Sequence, residues 1–246
     1  HRLATIDSEI LNCRVAAGSF KQFSLPSSHL HYATFFRYCI PELVEEDRVL
    51  YLDCDMIVTK SLSDLFEVDL DGCGLGAVED RPTTREGFNA GLLVLDLAWW
   101  RDHQTTQALF DLTKEHHQHV YGDQGILNHY FKDAWLRLPL TYNLQVGSDK
   151  DQHQYGDLAW YDEFQGLPAV IHYTSHYKPW TAKRFNRFRE IWWFYNLLEW
   201  SDILLRKDII YRGFQDLVYK PQANAAIFTD ACEMENLVYL IEKLPN

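Results

Sequence analysis

Val49-Leu50-Tyr51-Leu52-Asp53-Cys54-Asp55-Met56-Ile57-Val58 is an apolar run that carries two carboxylates and then turns apolar again. Continuous hydrophobics of this length predict a buried strand of a largely parallel sheet, covered on both faces. Side chains two apart on an extended segment point the same way, so Asp53 and Asp55 would share one face at the strand's end. Two unpaired carboxylates in a core would be very costly. A hard divalent cation is the simplest partner, because Mg²⁺ and Mn²⁺ favour oxygen ligands. Capping or turn carboxylates remain the competing reading.

The same spacing recurs at Asp69/Asp71 and Asp149/Asp151. Both lie in Gly- and Asp-rich stretches that read as polar turns. Only the first pair closes an apolar strand.

The 246-residue chain is 47% hydrophobic, enough for one large α/β domain with a substantial core. Its net charge of -12 argues against general nucleic-acid binding, which draws most of its affinity from a basic surface. The five cysteines have no CxxC spacing, as expected of reduced thiols in a cytoplasmic protein. No apolar run reaches the length of a membrane-spanning helix. The peripheral inner face of a membrane stays open as a location. Aromatics make up 15% of the chain, which reads either as core packing or as stacking surfaces for sugars or bases.

Outward from the first strand, a segment near Ile10–Val15 reads as a strand. Tyr32–Tyr38 has helical spacing that Pro41 would interrupt. A short helix is expected at Leu62–Leu65, strands at Gly74–Val78 and Phe88–Leu95, and helices at Trp99–His117 and Asp123–Phe131. Trp135–Leu138 and Val170–Tyr173 read as short strands, and Arg184–Leu205 as a long aromatic helix. Strands alternating with helices predict an α/β fold. Residues 1–206 form the expected main domain, 207–223 a linker with Gly213 and Pro221, and 224–246 the start of a further βα unit or an appendage.

Four further segments carry chemistry. Phe88-Asn89-Ala90-Gly91 offers small residues for a close approach of backbone to ligand, and one amide. Asp123-Gln124 opens a helix, where Asp123 reads as an N-cap or as a site residue. Val170-Ile171-His172-Tyr173 ends a strand in a histidine, read as a core residue or as a ligand. Lys178-Pro179-Trp180 puts a cation in a rigid turn, where it would serve a site or sit in solvent. Trp192, Trp193 and Trp200 stand at helical spacing, which favours core over an acceptor groove.

The order Leu-Asp-x-Asp, Phe-Asn-Ala-Gly, Asp-Gln-x-Ile-Leu-Asn, His-Tyr and Lys-Pro-Trp resembles glycosyltransferase family 8, over about residues 30 to 200. Within that family it is most similar to bacterial enzymes that extend O-glycans on serine-rich adhesins. The resemblance implies a GT-A fold, a mostly parallel mixed sheet flanked by helices, and retaining transfer from UDP-glucose or UDP-galactose to a glycan or glycoprotein. It implies that Asp53, Asp55 and His172 bind Mn²⁺, or Mg²⁺ in its place. Lys178 would hold the diphosphate. Arg37, Asp80 and Asn89 would contact the donor sugar or organise its pocket, and Asp123 and Gln124 would lie on its reacting face. Gln124 is the residue the family places nearest the anomeric carbon.

The strand and loop that grip the nucleotide in that family have no counterpart here, so the N-terminal nucleotide-binding strand is expected to be missing. The edge left open invites association into an oligomer. A catalytically silent fragment or pseudoenzyme, acting as a structural or partner-binding module in a glycosylation complex, is the alternative to an active enzyme.

Overall fold

The computed structural model describes residues 11–16, 20–21, 23, 31–80, 87–116, 122–146, 168–174, 178–180 and 188–197. Asp149, Asp151, Trp200, the linker at 207–223 and the βα unit at 224–246 lie outside the described residues. The described strands are β1 (Arg48–Leu52), β2 (Met56–Val58), β3 (Leu75–Glu79), β4 (Phe88–Asp96), β5 (Leu136–Arg137), β6 (Leu144–Val146) and β7 (Val170–Tyr173). The described α-helices are α1 (Ile40–Leu43), α2 (Asp64–Glu67), α3 (Leu97–Asp102), α4 (Thr105–His116), α5 (Gly122–Phe131) and α6 (Arg189–Leu197). The chain divides into two compact units, His1–Cys54 with Leu62–Leu140, and Asp55–Ser61 with Thr141–Asn246. The division falls between Cys54 and Asp55, inside the Asp-x-Asp motif.

The first unit holds a four-stranded sheet in the order β1-β4-β3-β5. β4 lies between β1 and β3 and runs antiparallel to both, while β5 runs parallel to β3. In the second unit β7 pairs antiparallel with β2 and parallel with β6. The sheets are mixed, as expected, but the parallel majority is not found among the described residues. The buried strand is β4 and not β1. β1 ends the described sheet, so its residues are half-buried and Leu52 is exposed. β4, with β-strands on both sides, is buried from Phe88 to Leu95.

The register of β3 against β4 shifts between Ala77, opposite Leu93, and Val78, opposite Asn89. Residues Ala90–Leu92 therefore have no β3 partner, and the ladder is locally open there. Such irregularities re-aim backbone and side chains. Here the opening falls in the Asn89-Ala90-Gly91 stretch singled out by sequence.

The core of this unit joins Phe20, Phe23, Phe35 and Tyr38 to β4 residues Leu93 and Leu95 and to helix residues Trp100, Leu109 and Phe131. Phe20 and Phe35 stack at 6.2 Å, and the Trp100 indole donates to the Gly74 carbonyl at 2.8 Å. Burial of such rings dominates core energetics, and the indole N–H needs its partner once buried.

Other local expectations shift for identifiable reasons. Residues 32–39 form a 3-10 helix capped by His31. Pro41 does not interrupt it, because it sits in the first turn of α1, where no amide donor is required. The helix expected at Trp99–His117 is two helices. Asp96 caps the first by accepting from the Trp99 amide, and Gln104 ends it with φ of 50°. Residues 11–15 have no regular structure. β2 and β6 were not anticipated; three residues carry too little pattern. Asp69/Asp71 is the expected polar turn, with the Asp71 amide donating to Asp69 at 2.9 Å. Among the described residues, no helix is long and apolar enough to cross a membrane.

Candidate active site

In the first unit the site is organised around Arg37, which the helical turn at 32–39 buries to 6% exposure. A buried guanidinium must satisfy its fork of donors. Nη2 donates to Asp53 Oδ1 at 3.0 Å, Nη1 to the Ala90 carbonyl, and Nε to the Thr34 carbonyl at 3.1 Å. Asp123 Oδ2 lies 2.9 Å from Nε, but the Nε–H is aimed at Thr34, so charge rather than an aligned hydrogen bond holds this oxygen. Asp123 Oδ1 accepts from the Thr34 hydroxyl. Burial pushes the Asp123 carboxyl up, opposed by Arg37 and the Thr34 hydrogen bond, while the Asp53 charge adds to the rise. The N-cap reading of Asp123 fails. It lies inside the first turn of α5, one residue after Gly122 at φ of 60°, and its carboxylate faces Arg37.

α5 also delivers Gln124 and Asn128 to the open stretch of β4. Gln124 Oε1 accepts from the Ala90 amide at 3.0 Å, and its Nε2 donates to Asp80 Oδ2 at 3.0 Å. Asn89 Oδ1 accepts from the Gly91 amide at 3.0 Å. Asn128, four residues beyond Gln124 on one helix face, accepts from the Phe88 amide and donates to the Phe88 carbonyl, both at 2.8 Å. It thus supplies a ladder-like pair to the strand end. Arg37 thus joins Asp53 and Asp123, Gln124 joins Asp80, and the two groups meet at the backbone of Ala90, next to Asn89.

In the second unit Asp55 lies between the side chains of His172 and Lys178. Its Oδ1 lies 3.2 Å from His172 Nε2, and its Oδ2 accepts from Lys178 Nζ at 2.6 Å. Lys178 also donates to the Tyr173 carbonyl, so it is no solvated loop charge. Burial works against the charged form of Asp55, but His172 and Lys178 outweigh it and hold the carboxyl well below the usual range.

His172 is buried on β7, opposite Met56 of β2, and its Nδ1 lies 2.9 Å from Asn143 Oδ1. A carbonyl oxygen only accepts, so Nδ1 carries the proton. The neutral ring then presents the Nε2 lone pair to a carboxylate oxygen. Two acceptors face each other, and the contact calls for a cation between them, a proton or a metal ion. The carboxylate of Asp55 and the imidazole of His172 are also donors of the kind that Mn²⁺ accepts. These residues fit a divalent ion.

Sequence reasoning passed over Thr34, Tyr51, Asn128 and Asn143. Tyr51 donates to Asp53 at 2.6 Å, and its place two residues before Asp53 was a usable signal. Asn128 closed a quoted motif without being assigned a task. Nothing in the sequence marked Asn143. Trp192 and Trp193 are half-buried beside Trp180.

The family model described as Glycosyl transferase family 8 matches residues 2–184. The chain is 53% identical over 252 residues to Glycosyltransferase GlyB of Streptococcus pneumoniae serotype 4, covering 99% of this chain and 62% of that protein. It is 37% identical to Glycosyltransferase GlyF of the same organism, covering 100% of this chain and 61% of that one. The crystal structure of the glycosyltransferase GlyE of S. pneumoniae TIGR4 matches with a TM-score of 0.66 and 43% identity, over 72% of this chain and 46% of that one. The galactosyltransferase LgtC, solved with donor and acceptor sugar analogs, matches with a TM-score of 0.56 and 29% identity, over 68% and 66%. These likenesses show the GT-A fold. The chain spans about 62% of the length of GlyB.

Proposed function

Because the chain belongs to glycosyl transferase family 8, we propose that it is a metal-dependent, retaining hexosyltransferase. It takes glucose or galactose from a UDP-sugar and passes it to a glycan or glycoprotein acceptor. The observation that supports the metal dependence is the donor set itself, with His172 Nε2 and Asp55 Oδ1 3.2 Å apart beside the Asp-x-Asp spacing. Asp53, Asp55 and His172 are the proposed ligands for Mn²⁺, with Mg²⁺ as a substitute. When bound, the ion supplies positive charge against the diphosphate of the departing UDP.

Lys178 is assigned the diphosphate as a second positive charge. Asp80, Asn89 and Arg37 are assigned the donor-sugar pocket, where Arg37 acts by holding Asp53 and Asp123 in place. Asp123 and Gln124 are assigned the reacting face. Both Asp123 oxygens are engaged, one by the Thr34 hydroxyl and one by Arg37. A carboxylate so committed is a poor attacking group, which supports front-face transfer over a double displacement. In front-face transfer the acceptor hydroxyl arrives on the face that UDP leaves, and its proton passes to the leaving phosphate oxygen. The side chains then position and stabilise charge. A cytoplasmic location and self-association belong to the same proposal.

Calorimetric titration of UDP with and without Mn²⁺, beside the Asp53→Asn/Asp55→Asn variant, tests this reading. Manganese-dependent binding that the variant loses is the expected result, and UDP-glucose and UDP-galactose are then compared. A folded protein that takes up no UDP in either condition would sink the enzymatic reading in favour of a silent module.

A further inference from the structure

Asp53 follows the last residue of β1, and its backbone amide donates to the Gly91 carbonyl at 2.8 Å. Two donors converge on one of its carboxylate oxygens. Arg37 Nη2 reaches Oδ1 at 3.0 Å, and the Tyr51 hydroxyl reaches the same atom at 2.6 Å. The triangle is closed on its third side, because the Arg37 guanidinium lies 4.3 Å over the centre of the Tyr51 ring. Arg37 is anchored in turn by the Thr34 and Ala90 carbonyls and by Asp123.

We propose that Tyr51 is a positioning residue that, with Arg37, presets the Asp53 carboxylate for a divalent cation. The inference rests on the metal reading above and adds to it the group that orients one ligand. Tyr51 is on β1 and Asp53 lies two residues on, just past the strand's end, so the phenol lies alongside the carboxylate it serves. An oxygen that accepts two hydrogen bonds is directed as well as charged, and the carboxylate plane is fixed before an ion arrives. Losing a partner of this kind typically costs about 10- to 100-fold in metal affinity.

The experiment is a Mn²⁺ titration at saturating UDP, with the free ion followed by electron paramagnetic resonance. Tyr51→Phe keeps the ring and its contact with Arg37 and deletes only the hydroxyl. It is expected to raise the Mn²⁺ dissociation constant about tenfold, at the lower end of the range for such partners. Excess Mn²⁺ should restore turnover, so the apparent KM for the ion rises while kcat holds. Tyr38→Phe is the control, a fully buried tyrosine in the same core that has no hydrogen bond to Asp53. Unchanged Mn²⁺ affinity in Tyr51→Phe overturns the inference, as does equal weakening in Tyr38→Phe, which would mark a general packing effect. If the unaltered protein takes up no Mn²⁺, the metal reading itself fails and this inference falls with it.

Discussion

The two carboxylates of the Asp-x-Asp motif are held by opposite strategies in the two units. Asp53 shares a buried cation: Arg37 serves it, Asp123 and two backbone carbonyls at once. Asp55 has its own cation, Lys178, whose side chain is 23% exposed, together with His172. The first arrangement is rigid and costly to disturb, because a removed partner strands several groups in the interior. The second can exchange partners, since a lysine near solvent regains water when it lets go. One motif thus joins a fixed carboxylate to an adjustable one.

The comparison breaks most visibly if the two cations are deleted in turn. Arg37→Met leaves buried Asp123 without a counter-charge and should destabilise the protein by about 3–5 kcal/mol. Lys178→Met leaves Asp55 with His172 and should cost about 1–3 kcal/mol. Urea unfolding of both variants measures the difference. Equal losses would mean that the units do not differ as described.

Asn143 is the next lever. It holds His172 by Nδ1, and Asn143→Leu removes the acceptor that fixes the tautomer. Manganese affinity at saturating UDP should fall about tenfold, with the fold retained. An unaltered titration would show that the ring needs no such partner.

Acid separates the carboxylates by sign. Asp55 has its folded pKa depressed, so its stabilisation is complete above the ordinary aspartate value and is lost as pH falls through that value toward the folded one. Asp123 has its folded pKa raised, so the folded state binds its proton first and acid relieves the cost of burying the charge. In metal-free buffer containing EDTA, unfolding free energy should therefore begin to drop below about pH 5 and fall most steeply below the ordinary aspartate value, on account of Asp55. Asp55→Asn should flatten that limb, and Asp123→Asn should steepen it. Parallel limbs in all three proteins would refute the assignment.

Much of this was legible in the sequence, for a physical reason. Asp53, Asp123 and His172 are polar residues set at the edges of apolar segments, and burial there demands partners. The strands at 75–79 and 88–96 and the helix at 122–131 were visible because their patterns are long. Pairing direction was not, because a strand's hydrophobicity reports how much it is covered and not which way its neighbour runs. The apolar run that contains β1 therefore reads as a buried strand, although β4 holds that place. The second unit was least legible: β2 and β6 are three residues each, and Asn143 acts through a single contact with β7. Arg37 could be nominated from the family motif, but its three hydrogen bonds to Thr34, Ala90 and Asp53 exist only once the chain has folded.

The smallest expected effect tests how adjustable the second unit is. Trp193 on α6 donates its indole N–H to the Pro179 carbonyl at 3.0 Å, next in sequence to Lys178. That bond ties the Lys178 turn to a helix, and the Pro179 ring already restricts the backbone. Trp193→Phe keeps an aromatic ring and removes the donor, so it should cost only about 1 kcal/mol of stability. Its informative readout is the affinity for UDP without metal, where Lys178 is the proposed holder of the diphosphate. A two- to threefold weakening, about 0.5 kcal/mol by the same arithmetic, is expected if the turn must be held in place. If UDP affinity is unchanged while stability falls, proline alone sets the turn. The contrast would then rest on the shared and private cations, without help from the tryptophans.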